Sequence, residues 1–115
     1  MSTPHKAAKR SSRKRSARVF AALGDETRLH IVTRLGAAGS LSIVSLTTGT
    51  GVTRQAVTKH LRKLARAGLV RGRRAGRETL WQLEPNELDA ARQALDQISA
   101  QWDAGLARLK AFVER

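Results

Sequence analysis

Arg54, Gln55, Thr58, Lys59, Arg62, Lys63 and Arg66 fall within one stretch, 54–67, whose apolar residues Val57, Leu61 and Leu64 repeat at i, i+4 and i+7. That spacing makes a helix with one stripe to bury and an opposite face of donors. Arginine matches the O6 and N7 edge of guanine, and glutamine the N6 and N7 edge of adenine. Lysine and the remaining arginines suit phosphate oxygens, which position a protein without reading sequence. Three more arginines, Arg73, Arg74 and Arg77, follow shortly after. The chemistry on offer is hydrogen bonding to a polyanion, with no bond made or broken.

Other chemistries lack their residues. The chain has no cysteine, so disulfides, thiolate metal sites and cysteine nucleophiles are excluded. His5, His30 and His60 are scattered, and no metal site is expected from them. No Gly-rich phosphate loop and no nucleophile-base set appears, so an enzyme is not expected and no cofactor is called for. Asp89, Asp96 and Asp103 recur every seven residues. They read as a solvated helix edge, since carboxylates about 10 Å apart cannot close one coordination sphere.

The whole chain of 115 residues carries a net charge of +13, and the charge is segregated. Seven basic residues and no acid lie in 1–18, nine and no acid in 54–77, and seven acids against four basics in 78–115. One cationic face for DNA or RNA and a different task for the C-terminal third follow from that asymmetry. The longest apolar run, residues 19–23, is far short of the roughly 20 residues of a membrane span. No secretory signal is read, and an intracellular, cytoplasmic protein associated with bacterial-type nucleoid DNA is expected, with no membrane partner.

These side chains need a scaffold, and the pattern supplies one. Residues 1–15 mix Lys, Arg, Ser and Ala and read as a disordered basic arm. An Arg- and Ser-rich start also resembles an organelle transit peptide. Residues 17–23 form a short apolar helix. Asp25 caps a second helix with the stripe Leu29, Val32 and Leu35, ended by Gly36 and Gly39. Ser42 caps a short third helix bearing Ile43, Val44 and Leu46, and Gly49-Thr50-Gly51 turns the chain. Thr53 caps the 54–67 helix, closed by Gly68. Stretches 69–74 and 78–83 read as two strands linked at Ala75-Gly76-Arg77. Pro85 opens a last helix whose Leu88, Ala91, Leu95, Ile98, Trp102, Leu109 and Phe112 keep a 3,4 spacing, interrupted at Gly105. So long a stripe in so small a chain asks for a second copy to cover it. Short helix, glycine turn, cationic helix and cationic hairpin, in that order, is a helix-turn-helix with a wing. The expected fold is mainly α with a small β-hairpin, a winged helix-turn-helix dimeric through its terminal helices. The expected organisation is an arm at 1–15, a DNA-binding domain at 16–84 and a dimerisation helix at 85–115.

The strings Ala22-Leu23-Gly24-Asp25-Glu26-Thr27-Arg28-Leu29, Val52-Thr53-Arg54-Gln55-Ala56-Val57-Thr58-Lys59-His60-Leu61, Ala67-Gly68-Leu69-Val70 and Arg73-Arg74-Ala75-Gly76-Arg77-Glu78 resemble the ArsR-type winged-helix repressor family. The likeness runs from about Val19 to Leu83. Trp81 and the ending Gln101-Trp102-Asp103, Leu106 and Leu109-Lys110 resemble a subgroup without thiol metal sites. The resemblance implies a homodimeric repressor on a palindromic operator in double-stranded DNA. It implies recognition through Thr53, Arg54, Gln55, Thr58 and Lys59. With Ser42, Arg62, Lys63, Arg73, Arg74 and Arg77 these make the expected DNA-binding set. It also implies a dimer interface from the first and last helices, here Val19, Phe20 and Leu23 with Leu88, Ala91, Leu95, Ile98, Trp102, Leu109 and Phe112.

The departures from that family are as definite. Where many members carry Leu-Cys-Val-Cys, this chain has Leu41-Ser42-Ile43-Val44, and its last helix has no histidine. No metal is expected, and the effector, whether a small molecule or a partner protein, is unspecified. The competing reading is a non-specific nucleic-acid binder of the nucleoid or ribosome, supported by charge alone. Gln55 and Thr58, neutral and suited to base edges, weigh against it.

Overall fold

The structure, a computed structural model, describes residues 4–114, with side chains from residue 8. The chain order is α1 (Pro4–Leu23), α2 (Glu26–Ala38), β1 (Ser40–Ser42), α3 (Ile43–Thr47), α4 (Arg54–Arg66), β2 (Val70–Ala75), β3 (Glu78–Leu83) and α5 (Pro85–Val113). It is a winged helix-turn-helix, mainly α with one small antiparallel sheet. Among the described residues no helix is long and apolar enough to cross a membrane.

Each helix of the DNA-binding unit starts at a side chain able to cap it. Asp25 Oδ1 accepts from the Arg28 backbone N–H at 3.0 Å, Ser42 Oγ from Ser45 at 3.2 Å and Thr53 Oγ1 from Ala56 at 3.1 Å. Such caps satisfy donors that the first helical turn leaves free. The end of α4 is equally defined. Leu69 N–H returns to Leu64 O and Gly68 N–H to Ala65 O, both at 3.0 Å, with Gly68 at φ 77°. That pair of bonds requires a left-handed residue, which glycine adopts without a Cβ penalty.

The core gathers one stripe from every helix of this unit. Ile31, Leu35, Leu46, Val57, Leu61, Leu64 and Leu69 are each at most 1% exposed. Burying such a side chain contributes about 1.5–3 kcal/mol. Because Val57, Leu61 and Leu64 are sealed, the orientation of α4 is fixed and its donor face must point outward.

Several expectations need correction. The expected disordered arm is helical from Pro4, continuous with the apolar 17–23 segment as one 20-residue helix; residues 1–3 lie outside the described residues. Ala, Lys and Arg are good helix formers, and a packed C-terminal half removes the nucleation cost for the rest. The stripe of α2 is Ile31 and Leu35 with Val32 packed beside them, while Leu29 stays 52% exposed. Gly36 lies inside α2, where an added Cβ would only touch Leu83 Cδ1 at 3.6 Å, and Gly39 is the terminator. The sheet has three strands, not two. β1 pairs with β3 through Ser40–Gln82, Leu41–Trp81 and Ser42–Leu80, giving the order β1-β3-β2. A three-residue strand is too short to show alternation in sequence.

The last correction concerns the terminal helices. Val19 at 1% and Ala91 at 4% exposure are buried where α1 packs on α5 within a single subunit. They hold α5 to its own domain and have no surface left for a second copy.

Candidate nucleic-acid interface

The first turn of α4 presents Arg54 and Gln55 to solvent, and Lys59, Arg62, Lys63 and Arg66 continue the exposed face. Thr53 is exposed but spends its hydroxyl on the cap. Thr58 is half-buried and donates its hydroxyl to Arg54 O at 3.0 Å, as threonine often does inside a helix. The cationic end of α4, Lys63 and Arg66, sits where the helix dipole favours positive charge. The helix therefore keeps its neutral and bidentate donors at the N-terminal end and its phosphate-type charges beyond them.

The wing is the β2–β3 hairpin. Its register pairs Gly72 with Trp81 and Arg73 with Leu80, and Arg73, Arg74 and Arg77 stand exposed around the tip. Arg74 Nε donates to Gly76 O at 3.2 Å, which steadies the turn. A Cβ on Gly72 would lie 2.9 Å from Thr79 Cγ2 and 3.4 Å from the Trp81 ring, so only glycine lets that ring lie across the hairpin. Ser42, Arg54 and Arg77 are brought together around one cleft of about 190 Å³ between α3, α4 and the wing, with Glu78 as its acid. Ser42 is otherwise occupied: its oxygen caps α3 and lies 3.2 Å from Ser45 Oγ.

Side chains outside the expected DNA-binding set hold these parts in place. Arg28 donates through Nε to Ala22 O at 2.6 Å and through its terminal nitrogen to His60 Nδ1 at 3.3 Å. His60 thus fastens the middle of α4 to the turn between α1 and α2. Asp25 stands 3.9 Å from His60. The backbone N–H of Arg28 holds the Asp25 carboxyl below the usual carboxylate range, assisted by the charges of Arg28 and His60. Arg34 donates to Leu46 O and Thr48 O at 3.1 Å each, satisfying carbonyls at the end of α3. The spacing of Asp25 and Arg28 hinted at a local pair, but Ala22, His60 and Leu46 are tertiary partners that periodicity cannot reveal.

The C-terminal end of α4 is clamped as well. A Cβ on Gly68 would meet Glu87 Cγ at 2.7 Å, so the α5 side chain lies directly on that turn. The Glu87 carboxylate in turn accepts from Arg15 of α1 at 2.6–2.7 Å. The bond from Arg15 draws Glu87 below its ordinary range, with the charges of Arg15 and Arg18 adding to it, and Arg15 is raised in return.

Beyond Ala91, α5 is bare. Leu95, Ile98, Trp102, Leu106, Leu109, Phe112 and Val113 are exposed, Trp102 and Phe112 at 68%. Phe20, Leu23 and Leu88 are partly buried against the core and border this stripe. Asp89, Asp96 and Asp103 are solvent-exposed on the same helix.

Relatives carry the same architecture. A helix-turn-helix domain family matches residues 23–73. The HTH-type transcriptional regulator Rv2034 of Mycobacterium tuberculosis is 41% identical over 92 residues, 80% of this chain and 85% of that protein. An ArsR-like transcriptional regulator from Rhodococcus sp. RHA1 is 42% identical and superposes with a TM-score of 0.74, covering 89% of this chain and 95% of that one. The chain belongs to the ArsR family. It is a transcriptional regulator of that family with a helix-turn-helix DNA-binding domain. The homodimeric winged helix-turn-helix DNA-binding domain of Mb0332 from Mycobacterium bovis, a possible ArsR-family transcriptional regulator, is 32% identical with a TM-score of 0.63, covering 88% of this chain and 89% of that one.

Proposed function

We propose that this ArsR-family chain is a sequence-specific, homodimeric repressor. In this reading α4 enters the major groove and reads bases through Arg54 and Gln55, with Thr53, Thr58 and Lys59 completing its leading end. Arg62 and Lys63 take phosphates. The wing lays Arg73, Arg74 and Arg77 on the backbone or in the minor groove, and Ser42 joins at the cleft shared by Arg54 and Arg77. The observation that carries this reading is the division of α4: Val57, Leu61 and Leu64 are fully buried while every cation on the helix is exposed.

A second copy covers the bare stripe of α5, meeting Phe20, Leu23, Leu88, Leu95, Ile98, Trp102, Leu109 and Phe112. A lone subunit with such a face would expose more contiguous apolar surface than monomers normally tolerate. Two-fold symmetry then makes the operator a palindrome with half-sites about 34 Å apart. The regulator works with DNA in the cytoplasm, without metal or catalytic chemistry, and its release signal stays open among a small molecule, a partner protein and concentration alone.

Selection of bound duplexes from a random pool tests the reading. A palindromic consensus, bound about 10³-fold or more tighter than scrambled duplex, is expected. Equal binding of all sequences with a steep salt dependence would replace it with the non-specific binder.

A further inference from the structure

Helix α1 is more than a dimerisation element. Its described residues include Lys9, Arg10, Arg13, Lys14, Arg15 and Arg18, and no acid occurs from Pro4 to Leu23. Arg10, Lys14 and Arg18 recur every fourth residue, so they form one slanted stripe about 12 Å long. All three are exposed. The stripe runs into the far end of α4. Arg18 and Arg66 line one cavity of about 310 Å³ with Ser11, Arg15 and Glu87, and a second, adjoining one of about 280 Å³ with Arg28 and Lys63. Among the described residues the ion pair made from α1 is Arg15 with Glu87; Arg18 adds its charge to the field on that carboxylate, and Arg10 and Lys14 make no ion pair.

Such a surface is costly in the free protein. Like charges four residues apart on a helix repel. An external polyanion relieves that repulsion.

We propose that the Arg10, Lys14 and Arg18 stripe of α1 extends the phosphate-binding face of α4 and takes the backbone of duplex DNA flanking the bases read by Arg54 and Gln55. This rests on the DNA-binding reading above and adds to it a second, sequence-independent contact. Three cations spread over about 12 Å match a short run of backbone phosphates on one strand. Arg15 is held by Glu87 and stands apart from the stripe.

The test uses the full chain and a duplex selected by it from a random pool, offered with long flanks and trimmed to the selected bases. Wild type is expected to lose affinity on trimming. The variant Arg10→Gln/Lys14→Gln/Arg18→Gln is expected to bind both duplexes equally, to keep the consensus, and to lower the slope of log K against log salt by about 2–3 per subunit. The companion Arg10→Lys/Arg18→Lys, equally exposed to any folding defect in α1, is expected to keep the wild-type slope, because phosphate accepts either charge. A glutamine variant with the wild-type slope and flank dependence overturns the proposal and leaves recognition by α4 intact. Equal losses in the glutamine and lysine variants overturn it too, since charge would not be the cause. If wild type selects no consensus, both readings fail together.

Discussion

Arg54 and Gln55 differ from Lys63 and Arg66 in what their loss would do. The former stand at the leading end of α4, the latter at its trailing end among phosphate-type charges. Arg54→Ala or Gln55→Ala is expected to cost about 1–3 kcal/mol on the selected duplex and to relax preference at one base position. Lys63→Ala is expected to weaken all duplexes alike and reduce the salt slope by about one. Anisotropy titrations on matched and singly mutated duplexes separate the two; a uniform loss for Gln55→Ala would remove it from base reading. These residue types and their spacing were legible in the sequence. The partners of Arg28, Arg34 and His60 were not, because those bonds join residues 6 to 32 positions apart.

Elements depend on how their ends are held. Gly68 closes α4 at φ 77° beneath Glu87, so Gly68→Ala adds a strained backbone and a close contact at once. A loss of about 1–3 kcal/mol is expected, read as a lower midpoint in urea with an unchanged slope. An unaffected midpoint would mean the turn can relax without its glycine. Glu87 and Asp25 are both depressed in the folded state, by bonds from Arg15 and from the Arg28 backbone respectively. A depressed carboxylate stabilises the fold at pH above its unfolded value, and that contribution is lost as pH falls through the lower folded value. Stability is therefore expected to fall on acidification below the ordinary carboxylate range. Glu87→Gln is expected to flatten that acid limb relative to wild type. An identical limb in thermal melts across pH would show that the Arg15 contact contributes nothing to folding.

For the whole molecule the decisive feature is the division of α5. Its first turns pack on α1 within one subunit, and its remainder is bare. Leu95→Asp is expected to convert the dimer to monomer in light scattering, because an unpaired charge would be sealed in the seam. A variant that remains dimeric would place the interface elsewhere. Loss of operator binding should accompany monomerisation, since in the proposed dimer two half-sites are held by one covered stripe. The stripe was legible as a 3,4 spacing, but the sequence did not distinguish Ala91, buried inside the subunit, from Leu95, which stays exposed. The same spacing serves a buried and an exposed position.

Local rules settled much of this protein before any coordinates. Caps at Asp25, Ser42 and Thr53, the turn at Gly68 and the two-faced α4 follow from short-range hydrogen bonding and helical period, which act within a few residues. Tertiary structure alone decided that the basic N-terminal segment is helical and docks through Arg15, that a third strand edges the sheet, and that Val19 and Ala91 belong to the core. Each of those outcomes depends on what lies across the fold, and distance along the chain carries no record of it.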